Sequence, residues 1–235
     1  MSANANNLLL AGLAAPSRAA LMSGSESVTL RAGEQLYGAG ERIEHAYFPI
    51  DAAISLATRV ETPLSLGVGV VGIEGMLGIG LILDSPVAEF NARVETSGRA
   101  WRVQSAHFSR QVDERPAFRA RMNRYAYVCL LQLAQDITCR NFHLLEGRLA
   151  RQLLMARDRA RSNHIALTHA TLAKLLGVRR AGVTLAASEM QKRGLVRYSR
   201  GDIQVLDVSA LRATACGCYA TDKRIYARVL GRAPE

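Results

Sequence analysis

The chain lacks any apolar run near the roughly 20 residues that a membrane-spanning helix needs, and no Lys or Arg precedes its first apolar stretch, Leu8-Leu9-Leu10. The charged start of a signal peptide is therefore missing, and a cytoplasmic protein without membrane contact is expected. Cysteine is scarce: four scattered residues in 235 are too few for a disulfide framework. The five histidines, His45, His107, His143, His164 and His169, contain no His-x-His spacing. No glycine-rich phosphate loop precedes a helix; GVGVVGIEGMLGIG sits between strand-like runs and reads as a set of tight turns. These gaps speak against an enzyme, including a metal-dependent cupin-like enzyme built on a β-roll. Acidic residues are also in deficit, 20 against 30 Lys and Arg, which leaves a net charge of +10. Much of that surplus lies beyond residue 93 and favours a polyanionic partner.

What is present is most informative between Leu167 and Arg200, LTHATLAKLLGVRRAGVTLAASEMQKRGLVRYSR. Thr168 is a good helix N-cap, with Thr171 three positions on. Leu172, Leu175 and Leu176 share one helical face. Gly177 follows where a helix end needs left-handed backbone, and Val178 packs the turn. Arg179 and Arg180 open a second helix with Val183, Ala186, Ala187 and Met190 on its inner face. Arg179, Arg180, Ala181, Thr184 and Ser188 lie on its outer face. Gly194 ends that helix, and Leu195–Tyr198 and Ile203–Leu206 alternate on either side of a Ser199–Asp202 turn, as a β-hairpin does. The layout is that of a winged helix-turn-helix that reads DNA.

Residues 28–105 form short apolar runs punctuated by glycine, which predicts a sandwich or barrel. Trp101, the only tryptophan, reads as packed core. The N-terminus predicts a helix from Asn7 to Ala14 stopped by Pro16, with Ser17 capping another. A short helix is expected from Ala106 to Arg115. A long one should start at Pro116 and run to about Leu145, carrying Tyr125, Val128, Cys129, Leu131, Leu133, Ala134, Ile137 and Leu144 near helical period. Such a helix between two small domains has no core of its own and is expected to bury its stripe against a symmetry mate. Glu146–Ala160 predicts a basic amphipathic helix with Arg148, Arg151, Arg157 and Arg159, and Ser162-Asn163-His164 a linker.

The order β-roll, long helix, winged helix-turn-helix resembles the Crp/Fnr family of bacterial transcription regulators, over almost the whole chain. RAGEQLYGAGERIEHAYFPIDAAISL is similar to the family's opening roll, with Gly33, Gly40, Tyr47 and Phe48 in place. LTHATLAKLLGVRRAGVTLAASEMQKRGLV is similar to its DNA-binding motif, with Gly177, Arg180, Val183 and Leu195 at characteristic positions. The resemblance implies an α+β fold: a jelly-roll-like sensor over 1–115, a dimerisation helix over 116–145, a DNA-binding domain over 146–212 and a tail over 213–235. It implies a homodimer on an inverted-repeat DNA site, with RNA polymerase and a small-molecule effector as further partners. Arg180 would read a base edge. Where family members carry an acidic residue and a second arginine, this chain has Ala181 and Leu185, so its operator should differ. His169, Lys174, Arg179, Thr184, Ser188, Arg197 and Arg200 would hold phosphates.

Members that bind a cyclic nucleotide hold the ribose with a Gly-Glu pair and the phosphate with an arginine and a hydroxyl. Here Glu74 and Gly75 roughly fill the first element, while Phe90-Asn91-Ala92 lacks both parts of the second. A cyclic-nucleotide-responsive regulator, the alternative, is thereby disfavoured, because a buried phosphodiester needs a cation. The family's N-terminal iron–sulfur cysteines are absent, since no cysteine precedes Cys129. Cys216 and Cys218 alone make half a zinc site and read as buried or unreactive thiols. No cofactor or metal is expected.

Overall fold

Asn7 anchors the N-terminal segment because its side chain meets four neighbours at once. In a computed structural model that describes residues 6–61, 64–199 and 201–231, Oδ1 accepts from the amides of Leu9 and Leu10, capping α1 (Leu8–Ala11). Its amide donates to the carbonyls of Pro49 and Gly75, so this wholly buried polar group is satisfied at both ends. Next comes α2 (Ala15–Met22), which Pro16 begins rather than stops. The first helical turn needs no amide from proline, and Ser17, expected as a cap, is buried within the helix.

The glycine-punctuated stretch folds as expected into a roll of antiparallel strands: β1 (Ser25–Leu30), β2 (Gln35–Tyr37), β3 (His45–Pro49), β4 (Ala53–Glu61), β5 (Leu64–Val71), β6 (Asn91–Thr96) and β7 (Gly98–Gln104). They pair as two sheets, β1-β7-β3 and β2-β6-β4-β5. Leu30, Ile54, Leu77, Val94 and Ala100 pack together as one core. The glycine-rich run supplies β5 and then a 3-10 turn at Ile79–Leu83, entered through Gly78 at φ +100°, where an L side chain is strained.

Then come α3 (Ser105–Glu114) and α4 (Pro116–Phe142). The expectation that α4 lacks a core of its own is corrected. Phe118, Met122, Tyr125 and Val128 are buried with Phe48 and Phe108 beneath the roll, and the Phe108 and Phe118 rings sit edge to face at 5.6 Å. A second, outward stripe carries Tyr127, Leu130, Leu133 and Ile137, all exposed, while Leu131 is half-buried and off it. The helix is thus apolar on two faces, and the period read from sequence merged them.

The second domain comprises α5 (Leu145–Ala160), β8 (His164–Ala166), α6 (His169–Leu176), α7 (Arg180–Lys192), β9 (Val196–Ser199), β10 (Asp202–Val205) and α8 (Val208–Thr214). Leu149, Leu153, Leu172, Val183, Met190 and Ile203 form its core. The wing has three strands, β8-β10-β9, because His164 belongs to a strand and not to the expected linker. Nor is the last segment a tail. α9 (Cys218–Leu230) packs on α4, and Tyr226, Val229 and Leu230 join the core beneath the roll. Among the described residues no helix is long and apolar enough to cross a membrane.

Candidate nucleic-acid interface

The helix-turn-helix is built as its residues dictate. Thr168 accepts from the Thr171 amide at 3.1 Å and caps α6. Gly177 ends α6 at φ +65°. Val183, Ala187 and Met190 are buried, and Ala186 packs against them half-buried. The opposite face of α7 is open: Arg179, Arg180, Ala181, Thr184, Leu185 and Ser188 are all exposed, as are Lys174 on α6 and Arg197 on the wing. No ion pair among the described residues involves Lys174, Arg179, Arg180 or Arg197. Arg200, the remaining candidate, lies outside the described residues.

His169 does not stand free, contrary to its expected place against a phosphate. Its ring packs edge-on against Tyr198 at 4.8 Å, and Nδ1 lies 3.1 Å from the Thr184 hydroxyl. That hydroxyl donates to the Arg180 carbonyl, so Nδ1–H is the donor. Burial first, and then the charge of Arg180, hold the imidazole below its ordinary pKa. His169 therefore braces α7 against the wing rather than projecting from it. Sequence could not show this, because Tyr198 and Thr184 meet it only through the tertiary fold.

The domain docks on the roll through α6, which leaves α7 turned out. Arg140 of α4 donates to the Gly67 carbonyl at 2.7 Å and the Leu175 carbonyl at 3.0 Å, tying β5 to α6. A Cβ on Gly67 would lie 3.0 Å from Leu175 Cα, so the approach needs glycine. Arg148 donates to the Leu176 carbonyl, and Thr171 donates to Glu95 of β6 at 3.1 Å.

Of the expected effector residues, Glu74 and Phe90 line a cavity of about 340 Å³ at the junction of roll, α4, α5 and α6. The other three do not line it. Gly75 is covered by the Tyr125 hydroxyl, which a Cβ would meet at 2.2 Å. Ala92 is wholly buried between the sheets. Asn91 accepts from the Ala39 amide at 3.2 Å. The cavity's three arginines, Arg140, Arg151 and Arg159, are already matched by Asp136, Asp222 and Glu74.

With this geometry established, comparison with known proteins identifies the architecture. The Crp-like helix-turn-helix domain matches residues 147–214. No curated protein matches the chain. FixK2 from Bradyrhizobium japonicum shares the fold at TM-score 0.72 and 15% identity, over 82% of this chain and 98% of that one. A CRP-family transcriptional regulator from Thermus thermophilus aligns at TM-score 0.68 and 16% identity, over 80% and 96%. The regulator CLP of Xanthomonas campestris, described as responsive to c-di-GMP, aligns at TM-score 0.66 and 14% identity, over 83% and 100%. The chain therefore joins a Crp-like helix-turn-helix domain to a β-roll, in a fold shared with Crp/Fnr transcription regulators.

Proposed function

We propose that the protein is a homodimeric, sequence-specific DNA-binding regulator whose two α7 helices enter successive major grooves of an inverted repeat. The observation that carries this reading is the outward face of α7, with Arg179 and Arg180 exposed at its N-terminal end and outside every ion pair among the described residues. A basic side chain at that end of a recognition helix reaches base edges, and arginine matches the two acceptors of guanine. Ala181 and Leu185 add apolar surface suited to a thymine methyl. Lys174, Arg179, Ser188 and Arg197 surround this centre and would hold phosphates. Thr184, whose hydroxyl donates to the Arg180 carbonyl and accepts from His169, has no O–H left to donate to a phosphate.

The exposed stripe of Tyr127, Leu130, Leu133 and Ile137 on α4 supports pairing of two chains about a two-fold axis. Half-sites would then lie about 34 Å apart, one turn of DNA. The cavity between roll and DNA-binding domain supports a small apolar effector that touches both. It does not support a cyclic nucleotide, because its three arginines are matched by carboxylates. RNA polymerase is the partner through which such a regulator would act. Selection of bound sites from random DNA tests the reading. A palindrome with half-sites one turn apart is expected, and recovery of no preferred sequence would overturn it.

A further inference from the structure

Cys216 and Cys218 do not stand alone. The turn between α8 and α9 brings them against the end of α4, where Cys139 lies in the last turn and His143 is the extended residue that follows the helix. The Cys139 and Cys216 sulfurs are 3.5 Å apart, and Cys218 Sγ is 3.4 Å from His143 Nδ1. All four ligand atoms lie within 4.8 Å of one another. We propose that Cys139, His143, Cys216 and Cys218 form a four-ligand structural zinc site that clasps the joint between the long helix and the DNA-binding domain.

The distances suit one ion. With Zn–S about 2.3 Å and Zn–N about 2.0 Å, a tetrahedron has edges of about 3.8 Å between thiolates and about 3.5 Å between thiolate and imidazole. A disulfide would need sulfurs about 2.05 Å apart. The compact cluster also leaves no room for the several metal atoms of an iron–sulfur centre. Three thiolates and an imidazole form a closed structural set with no open position for a substrate. Gln135, one turn before Cys139 on the same face, donates to Cys218 Sγ at 3.0 Å and would orient that thiolate. Cys139 and Cys218 are buried, while His143 and Cys216 are half-buried, so an ion could reach the site from the His143 side.

The placement gives the ion a mechanical role. Only His143 and Leu144 separate α4 from α5, so the direction of the DNA-binding domain depends on that joint. The Cys216 amide donates to the Gly147 carbonyl in the first turn of α5. An ion held by α4 on one side and the α8–α9 turn on the other would therefore fix α5 between them.

The test uses freshly reduced full-length protein, assayed for metal content and titrated with Co²⁺ and then Zn²⁺. One zinc per chain is expected, with a tetrahedral thiolate spectrum for Co²⁺ that Zn²⁺ displaces. Cys216→Ser should weaken Co²⁺ binding at least about ten-fold and reduce the thiolate charge-transfer band, and Gln135→Ala should weaken it about ten-fold. Cys129→Ser, outside the cluster, should leave both unchanged. Because losing a buried thiol could unfold the chain, His143→Asn at the half-buried position serves as a second variant, its folding checked by circular dichroism. A wild-type protein that binds neither metal at micromolar concentration, an octahedral Co²⁺ spectrum, or full binding retained by Cys216→Ser would each overturn the proposal.

Discussion

Arg159 Nε lies 2.7 Å from Glu74 Oε1, an ion pair that joins the DNA-binding domain to the roll at the edge of the central cavity. Both side chains are mostly buried, at 11% and 23% exposure, so neither charge is well solvated alone. Glu74→Gln should lower unfolding free energy by about 1–3 kcal/mol, since removing one partner strands the other. Urea unfolding at fixed protein concentration measures it. A cycle with Arg159→Met should return most of that loss as coupling. Independent effects of the two substitutions would mean that the pair does not join the domains.

Arg180→Ala should cost about 1–3 kcal/mol per half-site and relax preference at one base pair. Lys174→Ala should weaken all sequences alike and reduce the logarithmic salt slope by about 0.9. Binding to the selected site and its single-base variants across salt separates the two. Unchanged base preference in Arg180→Ala would show that α7 is not the reader.

Ile137→Glu or Leu130→Glu should give monomers, because each puts a charge on the exposed stripe of α4. Leu131→Glu should instead disturb folding, since Leu131 is half-buried off that stripe. Light scattering at micromolar concentration reads the mass. A wild-type monomer there would exclude the proposed interface.

The depressed pKa of His169 makes stability depend on pH. The unfolded chain takes up the proton more readily than the folded one, so stability falls as pH drops through the ordinary value of about 6.5 toward the lower folded value. Thermal melts of wild type and His169→Gln from neutral pH to about pH 5 should converge at the acid end. Parallel curves throughout would show that the His169 bonds to Thr184 and Tyr198 carry no linkage.

Cyclic AMP should bind no tighter than about 10 μM, roughly −7 kcal/mol, because among the described residues each arginine that lines the cavity is matched by a carboxylate. Calorimetry with cyclic AMP, cyclic GMP and c-di-GMP tests this, and a tighter constant for cyclic AMP would sink the reading of the pocket.

The reading domain was legible from local chemistry. The Thr168 cap, the left-handed Gly177 and the Val183–Ala187–Met190 face each follow from one or two turns of chain, and each stands in the fold as expected. The resemblance to Crp/Fnr regulators likewise rested on local motifs that survive as local structure. The effector residues fared differently. Glu74 reaches the cavity, but Ala92 alternates into the sheet core and Gly75 is sealed by Tyr125, and which neighbour covers a strand residue is not a local property.

Residue type and spacing alone therefore settled that this chain would form a sandwich or barrel of short strands, a long helix and a winged reading head, because caps, turns and hydrophobic periods act within a few residues. Tertiary structure decided the rest. It divided the two apolar faces of α4 between core and solvent, turned the supposed tail back onto that helix as α9, and carried Cys216 and Cys218 to Cys139 and His143. Side chains more than 70 residues apart meet only when helices pack, and the free energy of that packing belongs to surfaces that no short window of sequence contains.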